Sequence, residues 1–230
     1  MSLSHSPLIV RDGLVLCLDA ANPRSYPKSG TTWSDLAGAN NGTLTNGPAF
    51  SADNGGGILF DGTDDYADFG NDSSLKITAN VTVDFWIKLD STQAANNIIF
   101  GSGAGNGGYA ISQYGAFARR YYFYIYNSSG FYQGTGSTNR INLDADVWFH
   151  WCCVRDGTSI RQYINLTERT NVTINSANIA ADSNPFRIGV VHGSSTYGNF
   201  TMSNFKVYNR ALTASEITQN YNATRGRYGI

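Results

Sequence analysis

Hydrolysis of a glycosidic bond needs two carboxyls about 5 to 10 Å apart, one an acid and one a nucleophile or base, and same-face positions on a strand supply that spacing. The chain of 230 residues holds two glutamates, Glu168 and Glu216. Glu168 reads as part of a hairpin turn. Glu216 stands three residues after Thr213 at a helix start, where it is consumed by a capping box. Asp144 and Asp146 have same-face spacing but flank a turn ahead of Trp148. This inventory argues against a hydrolase. His150 and Cys152 share a face of WFHWCCV, which invites a metal or nucleophile role, yet the sequence offers no third ligand and no Asp or Asn to orient the ring. His150 is therefore expected in the core, and His5 and His192 are scattered. The glycine-rich GSGAGNGG at 101–108 lacks a following Lys-Ser/Thr and a helix, so it does not read as a phosphate cradle.

A set of aromatic residues and a set of acids remain. In RYYFYIY, from Arg120 to Tyr126, the period of two puts Tyr122, Tyr124 and Tyr126 on one face of a strand. With Tyr109, Tyr114 and Tyr132 they would make a platform on which sugar C–H faces stack and to which saccharide hydroxyls bond. The alternative is that this face packs inside the fold with its hydroxyls at the rim. The acids are Asp61, Asp64 and Asp65 in FDGTDDY, and Asp35 beside Asn40 and Asn41. Each has a turn-capping role open to it, because Asp bonds its own backbone and Gly62 accepts positive φ.

The segments that must position these groups are short. GLVLCLD at 13–19 reads as a core strand, and 22–50 as a long loop with Trp33 as its anchor. Gly55 to Gly70 reads as strand, turn, strand, a structural hairpin in which Ile58 and Phe60 anchor the core. VTVDFWIKL at 81–89 places Val81, Val83, Phe85, Ile87 and Leu89 on one face and Thr82, Asp84, Trp86 and Lys88 on the other. Strands are expected at 97–100 and 109–114 around the glycine-rich turn, and at 120–126. WFHWCCV, apolar on both faces, reads as a central strand covered from both sides, in a hairpin with Ser159 to Ile164. Further strands fall at 172–174, 185–191 and 200–208. The one strong helix signal is Thr213 as N-cap with Glu216, stapled by Leu212 and Ile217 and running to about Ala223.

Composition supports many short strands: 25 Gly, 14 Tyr and 12 Phe, with 14% charged residues. A formal net charge of −1 and the absence of a Lys/Arg run give no field for nucleic acid. No apolar run approaches the roughly 18 residues of a membrane span, and MSLSHSPLIV carries no secretory signature. The three cysteines, Cys17, Cys152 and Cys153, cannot all pair internally, so free buried thiols are expected, which fits folding in a reducing cytoplasm. One domain over 1–230 is expected, with its core from about 13 to 221 and residues 1–10 as an arm.

In this order, GGGILFDGTDDYADF (55–69), VTVDFWIKL (81–89), WFHWCCVRDGT (148–158) with IRQYIN (160–165), PFRIG (185–189) and FKVYNRALTASEI (205–217) resemble a laminin G-like domain of the concanavalin A-like lectin and glucanase superfamily. The resemblance implies an all-β jelly-roll sandwich of two curved antiparallel sheets with one short C-terminal helix, and a first strand paired with the last strands. It also implies calcium as the one cofactor to consider, held in rim loops by Asp61, Asp64, Asp65 or Asp35. Residues 13–50 are further similar to versions of this domain in bacteriophage structural and tail-associated proteins. That similarity implies a non-enzymatic binding or assembly domain. The specific form is a phage virion structural or decoration protein that attaches to a capsid or tail and touches host surface glycans. It would be made in the host cytoplasm and, by analogy with small virion jelly-rolls, could be a homo-oligomer. The alternative is a calcium-dependent, lectin-like carbohydrate-binding module of a bacterial surface or secreted protein, extracellular or on the cell surface.

Overall fold

The computed structural model of the chain describes residues 8–102, 107–113, 115, 119–127, 132–134, 141–175 and 178–230, the side chains of residues 132 and 133 excepted. The strands among them are β1 Leu14–Asp19, β2 Thr32–Trp33, β3 Gly42–Thr45, β4 Ala49–Ser51, β5 Gly57–Asp61, β6 Tyr66–Asp68, β7 Val81–Leu89, β8 Ile98–Ser102, β9 Tyr109–Gln113, β10 Arg120–Tyr126, β11 Tyr132–Gly134, β12 Ile141–Asn142, β13 Trp148–Asp156, β14 Ser159–Ile164, β15 Thr167–Thr173, β16 Phe186–Ile188 and β17 Asn199–Tyr208. Helix α1, Ala214–Thr224, follows.

Two antiparallel sheets result. The first runs β15-β14-β13-β7-β17-β5-β4, with β1 also on β17; the second runs β11-β10-β9-β8-β16-β6-β3-β2, with β12 on β10. Strand β1 thus pairs with the last strand, Leu18 opposite Phe205. The inner faces meet in one aromatic core. Val81, Val83, Phe85, Ile87 and Leu89 of β7 are all fully buried, as their alternation predicts. Phe85 packs on Phe205 with ring centroids 5.6 Å apart, Phe205 on Phe100 at 5.2 Å, and Tyr121 on Trp151 at 5.8 Å. Each such side chain contributes roughly 1.5–3 kcal/mol by leaving water. The fold is a mostly-β sandwich with one short C-terminal helix.

The stretch at 55–70 is not a hairpin. β5 pairs with β17 and β4 in the first sheet, whereas β6 pairs with β16 and β3 in the second. The turn between them therefore carries the chain across the rim of the sandwich, which lets Phe60 and Ala67 enter one core from opposite layers. Nor is 22–50 only loop, since β2, β3 and β4 lie in it. Turn-rich composition hides such short strands because long-range pairing with β5 and β6 fixes them. Glu168 is in strand β15, not in a turn; Asn165 and Leu166, both at positive φ, complete the turn before it.

The helix follows its sequence signal. Thr213 Oγ1 accepts from Glu216 N at 3.3 Å, and Glu216 Oε2 accepts from Thr213 N at 2.9 Å, closing the capping box. Leu212 and Ile217 are buried in one cluster. The inward face of α1, Ile217, Asn220 and Thr224, lies on the outer face of the first sheet. No helix among the described residues is long and apolar enough to cross a membrane.

Candidate functional site

In strand β10 Tyr121, Phe123 and Ile125 point into the core, so Tyr122, Tyr124 and Tyr126 project from the outer face of the second sheet. Their rings touch in sequence: Tyr122 and Tyr124 have centroids 5.0 Å apart at 30°, and Tyr124 and Tyr126 stand 5.6 Å apart at 87°. Tyr124 keeps only 6% of its surface, packed with Ile98, Ala110 and Val191, whereas Tyr122 and Tyr126 are half-buried. Tyr109, the fourth tyrosine considered, instead turns inward, fully buried, and its hydroxyl donates to Leu75 O. Tyr114 and the side chain of Tyr132 lie outside the described residues, as does His5.

Register sets what shares this face. Paired residues of an antiparallel sheet project to the same side. Tyr124 pairs with Gly134 and Ala110, Ala110 with Gly101, Gly101 with Arg187, Arg187 with Asp68, and Asp68 with Thr43. One continuous row therefore crosses seven strands, with Tyr124 toward one end and Arg187 and Asp68 toward the other, over small residues. The small residues are required there. A Cβ on Gly101 would lie 2.4 Å from Ala110 Cβ, and one on Gly134 2.6 Å from Tyr124 Cβ. Val191 packs over Gly101 and separates the two ends. At the charged end Arg187 Nε donates to Asp68 Oδ2 at 2.8 Å, and its guanidinium lies 4.8 Å from the ring centre of Tyr66. Both partners remain partly exposed, at 19% and 24%. Sequence reasoning missed Arg187, Asp68 and Tyr66 as site residues; the available signal was the alternation of Tyr66 and Asp68 in one strand and of Arg187 in another.

The acids divide. Asp61, Asp64 and Asp65 bring carboxylate oxygens within 4.8 Å of one another at the rim turn. Two of them also hold the turn: Asp61 Oδ1 accepts from Thr63 N at 2.8 Å and Asp65 Oδ2 from Asp61 N at 3.1 Å. Burial pushes the Asp65 carboxyl above its ordinary range, and the Asp61 and Asp64 charges add to that. Three carboxylates with free lone pairs suit part of an oxygen shell for a divalent cation, the remainder being backbone and water. Asp35 is not among them. Its carboxylate accepts from Cys17 N, Ala37 N and Asn40 N at 2.9, 2.8 and 3.2 Å, which ties the 35–41 loop to β1.

The remaining candidates are engaged elsewhere. Glu168 accepts from Tyr163 Oη at 2.8 Å, and Glu216 holds Arg210 through both oxygens at 3.0 and 2.6 Å. His150 is fully buried, and the carboxylate that orients it is Asp84, 2.9 Å from Nε2. Cys152, also fully buried, has its thiol pushed well up by desolvation, which opposes a nucleophile role. All three cysteines are free and buried.

A family profile described as the concanavalin A-like lectin/glucanases superfamily, of the laminin G type, matches residues 61–218. No curated protein matches the sequence. Among solved structures, the binding domain of Paraclostridial Mosquitocidal Protein 1 is similar at 16% identity and TM-score 0.70, over 90% of this chain and 51% of that one. Domain 4 of AbnA, an extracellular arabinanase from Geobacillus stearothermophilus in complex with arabinotriose, has 16% identity and TM-score 0.70 over 90% of this chain and 97% of that domain. Trypanosoma rangeli sialidase has 18% identity and TM-score 0.65 over 93% of this chain and 33% of that one. The chain thus spans about half of the first of these structures and a third of the last.

Proposed function

Because the chain belongs to the concanavalin A-like lectin/glucanases superfamily, we propose that it is a non-enzymatic glycan-binding domain that contacts saccharide with the outer face of its second sheet. The observation that carries this is the cross-strand row. Half-buried Tyr122 and Tyr126 offer ring faces to sugar C–H bonds, and Arg187 with Asp68 offers hydroxyl partners farther along the same face. The arabinotriose complex of the similarly folded AbnA domain supports a neutral oligosaccharide as the first ligand to try. Both glutamates are spent on structural bonds, which supports binding without hydrolysis. A glycan array is the test. Tyr122→Ala and Tyr126→Ala should each lose about tenfold in affinity, the scale of one buried aromatic contact. Tyr124→Ala should lose stability as well. A flat array, or full affinity in the Tyr122 and Tyr126 variants, would remove the proposal.

The clustered carboxylates favour a second reading, in which calcium at Asp61, Asp64 and Asp65 stiffens the rim turn. EDTA should then lower the melting temperature and calcium restore it; identical melting curves would end that reading. Placement on a phage particle, attached to capsid or tail, rests on the likeness of residues 13–50. Mass spectrometry of purified particles decides it, since absence of the chain from particles rules it out.

A further inference from the structure

The outer face of the first sheet is covered by α1 and by residues 8–11. Gln219 Nε2 donates to Leu8 O at 2.6 Å, Val10 N donates to Asn220 Oδ1 at 2.9 Å, and Tyr208 Oη donates to Val10 O at 3.1 Å. Beneath the cover lies a charged cluster with almost no access to water. Lys206 Nζ donates to Asp84 Oδ1 at 2.8 Å and to Asn204 Oδ1 at 2.9 Å, and the side chains of Lys206 and Asp84 are 3% and 0% exposed. An ammonium has three N–H donors. Among the described residues two are used.

Lys206 also lines a pocket of about 310 Å³ between this segment, β1 and the end of α1. Its apolar walls come from Leu8, Ile9, Leu18, Leu36 and Ala223. A second pocket of about 270 Å³ adjoins it and shares Ile9, Cys17 and Leu36. At the rim Arg227 binds both oxygens of Asp19, at 2.7 and 2.8 Å. The charged residues lining the pocket are therefore two cations, Lys206 and Arg227, and one anion whose oxygens are already engaged. Asn22, Asn204 and Thr224 complete the pocket's polar side, and a pocket of this size with an apolar wall and a few convergent polar groups is the usual form of a small-molecule site.

We propose that this pocket binds a small amphipathic carboxylate, its apolar chain along Leu8, Ile9 and Leu36 and its carboxylate on the remaining N–H of Lys206. The site lies on the opposite sheet from the tyrosine face and does not depend on the glycan reading. Calorimetric titration of the intact protein with octanoate, 1-octanol and octylamine tests it, since the three share a tail and differ in the head. Octanoate should bind about tenfold more tightly than octanol, the scale of a hydrogen bond to a charged group, and octylamine least. Leu36→Trp narrows the mouth at a partly exposed position without touching the charged cluster, and should abolish octanoate binding while leaving the melting temperature in place. Lys206→Met, where folded, should bring octanoate to the level of octanol. Absence of octanoate binding to the wild type, equal binding of octanoate and octanol, or binding unchanged by Leu36→Trp overturns the proposal.

Discussion

Replacing Lys206 by Met removes the cation from Asp84 and keeps nearly the same side-chain length. The two charges are 2.8 Å apart and buried. At an effective dielectric of about 20 their attraction is roughly 6 kcal/mol. Part of that is retained in the variant, because His150 Nε2 still meets Asp84 Oδ2 at 2.9 Å and Asn220 Nδ2 approaches it at 3.5 Å. The expected loss at pH 7 is therefore about 3–5 kcal/mol, the range for breaking one side of a buried pair. Urea unfolding followed by tryptophan fluorescence measures it.

The pH dependence gives a second readout. Burial alone would raise the Asp84 carboxyl, but the charges and hydrogen bonds of Lys206 and His150 outweigh it, and the folded value lies below the ordinary range. A depressed folded carboxyl contributes stability that is present above the unfolded value, about 3.9, and is lost as pH falls below it toward the folded value. Wild type should lose this contribution only in acid. In Lys206→Met the folded value rises, so the gap between variant and wild type should narrow as pH falls through that raised value. Asp84→Asn combined with Lys206→Met should restore much of the loss, because neither charge is then left unpaired. A Lys206→Met loss under 1 kcal/mol at pH 7, or a double variant no better than the single, would refute the buried pair as the anchor of this face.

Four further outcomes are expected. Thr213→Ala removes the helix cap and should cost about 1 kcal/mol in chemical denaturation, with α1 the first segment to gain hydrogen exchange. The hydrogen bonds from Arg210 hold Glu216 down to about 2, so the stability it contributes is present above the unfolded glutamate range and lost as pH falls toward that value. Because Glu216 and Arg210 both remain partly exposed, at 25% and 27%, added salt should shrink that contribution. Burial pushes the Cys17 thiol up to about 11 and also holds Cys152 and Cys153 well above the ordinary thiol value, so native protein at pH 8 should resist a thiol reagent, whereas unfolded protein titrates all three cysteines. Gly189 has φ +95°, and a Cβ there would lie 2.8 Å from Asp65 O; Gly189→Ala should cost about 1 to 3 kcal/mol and lower the melting temperature.

Local periodicity reveals which residues share a face but not what faces them. The alternation in VTVDFWIKL identified the inner face of β7, and Thr213 with Glu216 identified the start of α1, because each signal is complete within ten residues. Tyr122, Tyr124 and Tyr126 could be seen as co-facial for the same reason. That they look outward depends on the other face, Tyr121, Phe123 and Ile125, being taken by the core. Arg187 and Asp68 are separated by 119 positions and Lys206 and Asp84 by 122, so only strand register unites them. In sequence the turn at Asp61–Asp65 reads as reversing the chain, because its Asp and Gly chemistry is that of a reversal. The same chemistry also serves a crossing between layers, and β17 and β16 decide which occurs.

The two outer faces differ in what covers them. On the first sheet the polar residues of β7, β13 and β17 alternate with core residues, a pattern that ordinarily means solvent. Here Thr82, Asp84, His150 and Lys206 are buried because the capping box starts α1 where it lies across them. Trp86 secures the far end of that cover, stacking on Tyr228 at 3.8 Å and donating to Thr224 Oγ1 at 2.8 Å. Among the described residues no comparable helix covers the second sheet, and its outer face keeps Tyr122, Tyr126, Arg187 and Asp68 partly open. A broad ligand such as an oligosaccharide therefore fits the second sheet. The first sheet offers only the gap left between its cover and β1, which suits a small molecule. Substitutions at Tyr122 or Tyr126 should thus spare octanoate binding, and Leu36→Trp should spare glycan binding; loss of both ligands with either variant would mean that the faces are coupled through the core.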